Sequence, residues 1–412
     1  MFKGKYYWIP ICLVSVLLVG LLSGCSKGQQ QTAQNGPKVI KVAWLSYNLN
    51  DDWFQSTLAF AKIEAARIEK RDNVKFEFIP YDGGTKEETQ LSQVDNIITK
   101  HEADMVYVEP INEKAMANAI TKINQQMNVP IGAAGITASG GKYLYVGLDN
   151  VAVNKGVGDY LIKLLTQKYG PPANWAKAGG VIVEILGPAG LKISQDRSVG
   201  FHQALDPIVA ANPGVQVVQV TSNWDTATAF KVMTDAVQRY GNKIIGVYSS
   251  SDRPATMGAY KAFSNAGMGY PVGDPKHIPI VTYDGTVSGM QNVRDKTIDM
   301  IAEQPAEGYS YLVMEYLYQW YKSGYDSLPK AGTTLTADQL KQQFNWDETT
   351  GVQFWAPVKV VPGLNWDGIW MQPQSPVIPD QVSPTEKFEW GNYLSRDNNG
   401  KYPWEAGYIP KG

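Results

Sequence analysis

Cysteine and histidine are scarce in this chain. Its 412 residues contain two cysteines, Cys12 and Cys25, and three histidines, His101, His202 and His277. Because no cysteine follows residue 25, the rest of the chain has no means of forming an internal disulfide or a cysteine-ligated metal site. The histidines lie far apart, without the spacing that metal ligands show. The sequence therefore predicts no metal site and no cofactor.

An excess of charge of either sign is also missing. The chain has 37 lysines and arginines against 39 aspartates and glutamates, and no basic block follows the lysines near its N-terminus. This composition argues against a nucleic-acid surface. The chain also lacks a Gly-x-x-x-x-Gly-Lys-Ser/Thr phosphate loop, and it shows no set of nucleophile, base and orienting residue. We therefore predict neither an ATPase nor catalytic residues.

What the chain does have, at its N-terminus, is the pattern of an export signal. Two lysines precede an apolar run from Trp8 to Leu22, and this run of about 15 residues is shorter than the roughly 20 that a permanent membrane helix needs. Residues 1–24 are therefore predicted to be a removed signal peptide. The motif Leu-Ser-Gly-Cys that ends at Cys25 resembles the lipobox of bacterial lipoproteins, which implies lipid attachment to Cys25 and anchoring at the outer face of the cell membrane. An ordinary signal with an incidental cysteine is the alternative.

Past this N-terminal region, short apolar strands alternate with amphipathic helices. Residues 25–38 are polar and are predicted to be a flexible tether. The apolar segment Val39–Leu45 predicts a strand, and the apolar spacing from Phe54 to Ile68 predicts the helix after it. The alternation continues in two series as far as Arg294. It predicts an α/β fold with two doubly wound parallel-sheet lobes joined by a hinge.

The pattern also suggests how the chain is divided. The first lobe is predicted to comprise residues 39–149 and about 304–335, and the second lobe residues 150–303 and about 352–370. Residues 371–412 are rich in proline, tryptophan and tyrosine and form a tail. Three roles for this tail remain open, namely packing along a lobe, contributing an aromatic side chain to a ligand site, and binding a transporter.

Acidic and aromatic residues recur directly after the predicted strands. They stand at 51–54, 109, 223–225, 250–253 and 284–286. In open parallel sheets, ligands bind outside the carboxyl ends of the strands. These segments are therefore the candidates for a ligand site in the cleft between the lobes.

The order of these segments resembles that of the periplasmic sugar-binding proteins of the ribose and galactose type, which feed ABC importers. The resemblance runs from about Val39 to about Trp320 and implies the type I fold of periplasmic binding proteins. The matching motifs are Asn50 to Phe54, Gly147 to Asn150, Gly187 to Gly190 with Arg197 and Gly200-Phe201, Trp224-Asp225, Ser251-Asp252 with Gly258-Ala259, and Tyr283-Asp284-Gly285.

The resemblance implies ligand-binding residues position by position. Trp53 and Phe54 match the aromatic residues that sandwich a sugar ring. Asp252 and Asp284 match acids that accept hydrogen bonds from sugar hydroxyls. The remaining predicted ligand-binding residues are Asp52, Glu109, Gln195, Trp224, Arg253 and Glu303.

Two departures from the family pattern bear on the ligand. Gly135-Ile136 stands where the family has an Asp-Arg pair, and Gln195 stands where it has a ligand-binding arginine, which leaves Arg197 as a structural residue. Glu109 and Glu303 add acidic groups. The predicted site is therefore acidic, which argues against ribose itself. A sugar or polyol is the favoured ligand, and an amino or cationic compound is the alternative.

The function implied by the resemblance is capture and delivery. Two lobes would close over the ligand, and the closed protein, a monomer, would dock on an ABC transporter permease whose ATPase is a separate protein. A sensory protein that presents a signalling molecule to a membrane receptor is the main alternative. Glycoside hydrolysis by paired carboxylates is disfavoured, because the acids align with hydrogen-bonding positions of the family.

Overall fold

The computed structural model describes residues 36–347, 350–375 and 377–379, without the side chains of residues 52, 256, 287 and 377–379. The predicted signal peptide, the lipidation of Cys25, most of the tether and most of the tail lie outside these residues. None of the helices in the described ranges is long and apolar enough to cross a membrane.

The strands, numbered along the chain, form two sheets. The first sheet contains β1 (Lys38–Ser46), β2 (Val74–Asp82), β3 (Met105–Val108), β4 (Ile131–Ala134), β5 (Lys142–Val146), β11 (Thr334–Leu335), β12 (Val358–Pro362) and β13 (Asp367–Gln372). The second contains β6 (Val181–Leu186), β7 (Gln216–Thr221), β8 (Ile244–Ser249), β9 (Ile280–Asp284), β10 (Met300–Glu303) and β14 (Val377–Pro379). Their orders are β11-β12-β13-β5-β4-β3-β1-β2 and β14-β10-β9-β8-β6-β7.

Helices cover both faces of each sheet, and a sheet with its helices is called a lobe below. The first lobe has α1 (Asp52–Asp72), α2 (Glu87–Lys100), α3 (Glu113–Gln126), α10 (Ala306–Ser323), α11 (Ala337–Phe344) and α12 (Val352–Trp355). The second lobe has α4 (Asn150–Tyr169), α5 (Trp175–Ala178), α6 (Lys192–Ala211), α7 (Thr226–Tyr240), a π-helical segment (Pro254–Tyr260), α8 (Lys261–Asn265) and α9 (Val287–Arg294). The prediction of an α/β fold with two parallel-sheet lobes is confirmed.

Local sequence explains the helix that leads into the cleft. The carboxylate of Asp51 accepts a hydrogen bond from the backbone N–H of Trp53, which caps the start of α1. The apolar side chains at Phe54 and Ile68 then face the core. The helix ends at Asn73, whose φ of 52° suits the left-handed conformation that asparagine tolerates.

The chain crosses between the lobes three times within the described ranges, between β5 and α4, between β10 and α10, and between β13 and β14. Such a set of short crossings forms a hinge about which two lobes rotate. The residues that follow the strands of both sheets therefore face each other across one cleft.

The prediction that residues 352–370 belong to the second lobe is wrong. Strand β13 pairs in parallel with β5, from Asp367 opposite Lys142 to Met371 opposite Val146, and β12 pairs with β13. The free edge of β5 offers aromatic side chains, and the ring of Trp366 stacks on Tyr143 with centroids 5.1 Å apart. Within the predicted tail, β14 pairs with β10 in the second sheet, which agrees with packing along a lobe, one of the three roles left open.

Polar contacts hold the segment from α11 to Trp346 on the first lobe. The indole N–H of Trp346 donates to the carboxylate of Glu64 at 2.8 Å, and Arg67 pairs with the same carboxylate at 2.6 Å. Arg71 of α1, which pairs with Glu315 of α10, also donates to the backbone carbonyl of Phe344 in α11 at 3.2 Å. This part of the chain is therefore integral to the first lobe.

Candidate functional site

A cavity lies between the two lobes, with about 450 Å³ of empty space when the part open to solvent is counted. The first lobe lines it with Asp51, Trp53, Phe54, Gly135 and Ile136. The second lobe and the hinge line it with Ile193, Arg197, Trp224, Ser251, Arg253, Asp284, Thr286 and Gln304.

Three aromatic side chains form apolar walls. Trp53 packs edge-on against Tyr309, with ring centroids 5.9 Å apart, and Phe54 stacks on Tyr47 at 5.1 Å. Trp224 faces them from the second lobe, where a Cβ atom on Gly187 would come within 2.3 Å of its indole nitrogen. Glycine at this position therefore makes room for the tryptophan ring. Aromatic faces of this kind stack on the apolar faces of ring-shaped ligands.

The polar part of the wall is built around Asp284. Gln304 donates its side-chain N–H to Asp284 Oδ1 at 2.6 Å, and Arg197 Nη1 lies 3.5 Å from the same oxygen. The Arg197 guanidinium is itself held by the carbonyl of Ser250 at 2.6 Å and lies over the ring of Tyr283 at 4.0 Å. Burial raises the pKa of Asp284, and the charge of Arg197 opposes that rise. The group combines a carboxylate acceptor with fixed guanidinium and amide donors.

An ion pair closes the cleft next to these groups. Asp51 of the first lobe and Arg253 of the second form it, and both residues line the cavity. Together with Arg197 and Asp284, they give the wall two arginines and two aspartates. The prediction of an acidic site is therefore wrong, because the acidic charges in the wall are matched by arginines.

Comparison with known proteins assigns the family. The profile described as a periplasmic binding protein domain matches residues 42–324. The chain belongs to this family. The resemblance noted from the sequence is thereby confirmed, and so is the prediction that the chain is not an enzyme, because its relatives are solute-binding components of transport.

Two relatives of this binding protein are similar in sequence. The ribose import binding protein of Haemophilus influenzae is 23% identical over 298 residues, which cover 71% of this chain and 87% of the relative. The D-xylose-binding periplasmic protein of Escherichia coli is 24% identical, over 65% of this chain and 74% of the relative.

Two solved structures share the fold. The Caulobacter myo-inositol binding protein has a TM-score of 0.59 and 18% identity, covering 84% of this chain and 94% of its own. A Bacillus halodurans solute-binding protein with bound myo-inositol has a TM-score of 0.58 and 19% identity, covering 87% and 99%.

The structure brings five of the predicted ligand-binding residues to the cavity of this binding protein. They are Trp53, Phe54, Trp224, Arg253 and Asp284. The side chain of Asp52 lies outside the described part of the structure. The other four predicted residues, Glu109, Gln195, Asp252 and Glu303, do not line the cavity as far as the structure describes it.

Glu109 is buried inside the first lobe. Its carboxylate accepts hydrogen bonds from the hydroxyls of Ser46 at 2.8 Å, Thr57 at 2.9 Å and Tyr107 at 2.8 Å. Burial raises its pKa to about 7, although the three hydroxyls act in the opposite direction. Glu109 therefore joins β1, α1 and β3, a structural task rather than ligand contact.

Asp252 lies outside the cavity wall and binds the turn that carries Thr286. Its carboxylate accepts from the backbone N–H groups of Gly285 at 3.1 Å and Thr286 at 2.6 Å, and from the Thr286 hydroxyl at 3.0 Å. Burial raises the pKa of Asp252, and repulsion from Asp284 adds to the rise. Asp252 thus fixes the turn that places Thr286 in the cavity wall.

Asp51, Arg197 and Gln304 line the cavity, whereas the sequence predicts their neighbours Asp52, Gln195 and Glu303. Gln195 is exposed and donates to the carbonyl of Ala189, whereas Arg197, two positions further along α6, lines the cavity. Glu303 ends β10, and Gln304 after it lines the cavity. Positions two apart on a helix, or adjacent on a strand, point to different faces. Arg197, interpreted from the sequence as a structural residue, thus lies in the cavity wall.

A metal ion would need several histidine, cysteine or carboxylate ligands placed together. Within the described residues, no three or more His, Cys, Asp or Glu side chains are arranged to bind one. The cavity wall therefore offers stacking, hydrogen bonding and paired charges as its means of recognition.

Proposed function

We propose that this protein is an exported solute-binding lipoprotein that captures a neutral sugar or cyclic polyol between its lobes and delivers it to an ABC transporter permease. The observation that supports this most is the cavity wall, in which aromatic rings stand beside a carboxylate and a guanidinium with fixed positions. A sugar or cyclic polyol presents apolar ring faces to such rings and hydroxyl groups to such donors and acceptors.

The pairing of charges favours a neutral ligand. Arg197 lies beside Asp284, and Arg253 pairs with Asp51, so each carboxylate in the wall already has a cationic neighbour. A cationic ligand would have to compete with these arginines, and a buried charge without a partner is costly. The amino or cationic ligand considered from the sequence is therefore the less favoured candidate.

The relatives are consistent with this ligand class. Their names and bound molecules are ribose, xylose and myo-inositol, all of them neutral and rich in hydroxyl groups. At 18–24% identity, these similarities do not select one compound.

Delivery and anchoring complete the proposal. The lipobox-like motif at Cys25 would tether the protein beside its permease, and the two-lobe fold would present a closed form to that permease. Cys25→Ser should release the protein from membranes and abolish incorporation of labelled fatty acid. Unchanged labelling would refute the lipid anchor, and the proposal for the ligand would remain unaffected.

A thermal-shift panel tests the ligand class. The purified chain is heated with neutral pentoses, hexoses and inositols and, in parallel, with amino sugars and polyamines at the same concentrations. A ligand at 100 times its dissociation constant stabilises the folded chain by about 2.7 kcal/mol, which raises the melting temperature. We expect shifts from neutral compounds. Shifts from cationic compounds alone would contradict the proposal.

A further inference from the structure

Helix α6 begins at the cleft without a side-chain cap from its own lobe. Its N-cap position is Leu191, no described side chain of that lobe caps its start, and its first turn contains no acidic residue. The first backbone N–H groups of a helix have no partner within the helix and need one from elsewhere. In this helix, one partner comes from the opposite lobe.

That partner is Glu113, the first residue of α3. Its Oε1 accepts a hydrogen bond from the backbone N–H of Lys192 at 2.9 Å, across the cleft. The hydroxyls of Thr137 and Ser139, both in the first lobe, lie 3.3 and 3.5 Å from the same carboxylate and hold it in place. Glu113 is only 6% exposed. The carboxylate is thus positioned by one lobe and caps a helix of the other.

We propose that Glu113 is a positioning residue for lobe closure, acting as a helix cap that forms only when the cleft is shut. Opening the cleft would expose both the Lys192 N–H and the carboxylate to water and remove the cap. The contact therefore favours the closed form and slows opening. Neither Glu113 nor Lys192 is among the described residues that line the ligand cavity, so the effect is separate from ligand contact.

The inference rests on the proposed function only in assuming that the lobes open and close. It makes no use of the identity of the ligand. The test is therefore made on the purified chain without ligand, by fitting small-angle X-ray scattering profiles to a mixture of closed and open forms. A failure to find a sugar that binds would leave the scattering result standing, and the reverse is also true.

The first comparison removes a carboxylate cap in each of two variants, one cap between the lobes and one within a lobe. Asp225 caps α7 within the second lobe, where its Oδ1 accepts from the Thr228 N–H at 2.7 Å. Loss of one cap corresponds to about a fivefold change in an equilibrium. We expect Glu113→Ala to lower the ratio of closed to open molecules about fivefold. Asp225→Ala should lower the melting temperature and leave that ratio unchanged.

The second comparison alters the donor. Lys192 is the first residue of α6, a position at which proline is tolerated because its missing N–H would lack a helical partner anyway. Leu191 before it is extended, with φ −101° and ψ 130°, as a residue preceding proline prefers. Lys192→Pro removes the N–H that Glu113 accepts, whereas Lys192→Ala keeps it. Both variants lose the Lys192 ammonium group, whose charge attracts Glu113, and only the proline variant also loses the N–H. We therefore expect more opening in the proline variant than in the alanine variant.

The outcomes are decisive in both directions. Opening in Glu113→Ala, greater opening in Lys192→Pro than in Lys192→Ala, and wild-type scattering from Asp225→Ala support the cap across the cleft. Equal scattering from the two Lys192 variants would argue against it. Glu113→Gln, which keeps an acceptor oxygen, should lie between the wild type and the alanine variant. Wild-type scattering from both Glu113→Ala and Lys192→Pro, or equal opening from Asp225→Ala, would overturn the inference. If Glu113→Ala does not fold, the two Lys192 variants decide alone.

Discussion

Replacing Asp284 by asparagine is the sharpest test of the proposed ligand site. The change keeps the shape and one acceptor oxygen and removes the negative charge. It also suits the backbone, because Asp284 has a φ of 121°, and asparagine shares the tolerance of aspartate for positive φ. Any loss of affinity can therefore be assigned to the carboxylate, through its charge and its second acceptor oxygen.

The expected loss follows from the hydrogen bonds. A bond to an ionised group contributes about 1.5–3 kcal/mol and a neutral one about 0.5–1.5 kcal/mol. One ligand hydroxyl bound to Asp284 should therefore lose about 1.4 kcal/mol, which is tenfold in the dissociation constant. Folding stability should change little, because two opposing effects disappear together. These are the cost of burying the charged carboxylate, which raises the pKa of Asp284, and the attraction of that carboxylate to Arg197. Titration calorimetry and urea unfolding measure the two quantities.

Asp252 supplies the matched control. Its carboxylate accepts three hydrogen bonds from Gly285 and Thr286, and an amide has only one oxygen to offer them. Asp252→Asn should therefore cost about 1–3 kcal/mol of stability, the penalty for an unsatisfied buried group. Its effect on affinity should be smaller than that of Asp284→Asn. If Asp252→Asn weakened binding more than Asp284→Asn while leaving stability intact, the assignment of the two acids would be refuted.

Three further predictions concern buried side chains. Trp53→Ala should weaken ligand binding and also lower stability by about 3 kcal/mol, because the ring packs on Tyr309; a urea curve identical to wild type would rule this out. Burial raises the pKa of Glu109 from 4.5 to about 7. The protonated side chain therefore contributes to stability fully below pH 4.5, and this contribution, about 3 kcal/mol, is lost as the pH rises through 7. Glu109→Gln should reduce the difference between the free energies of unfolding measured in urea at pH 5 and pH 8. An unchanged difference would argue against the raised pKa of Glu109. Trp346→Phe removes the donor to buried Glu64 and should cost about 1–3 kcal/mol; an unchanged midpoint would show that the contact is dispensable.

Much of the fold could be predicted because its elements have strong periodicity. The strand predicted at Val39–Leu45 lies within β1, and the helix predicted from Phe54 to Ile68 lies within α1, which Asp51 caps. Strand β13 is not predicted by the pattern, because Gly368 interrupts it. Its place beside β5 depends on a free sheet edge and on Tyr143, which are distant in sequence. Local patterns do not report such pairings.

The site was predicted less well, for a geometric reason. Strand ends identify the right segments, but a shift of one or two residues changes which side chain faces the cleft. This separates Arg197 from Gln195 and Gln304 from Glu303. The burial of Glu109 depends on hydroxyl groups brought together from separate elements, and its own neighbours in the sequence do not show them. Family motifs therefore located the cleft and only part of its wall.

The central claim, that the cleft binds one neutral sugar or polyol, is tested most directly by titration calorimetry. The neutral compound with the largest thermal shift is titrated into the wild-type chain and into Asp284→Asn at neutral pH. We predict saturable binding at one site per chain and a dissociation constant about tenfold larger for the variant. Binding of cationic compounds alone, or equal affinity of the two proteins for the neutral compound, would contradict the account.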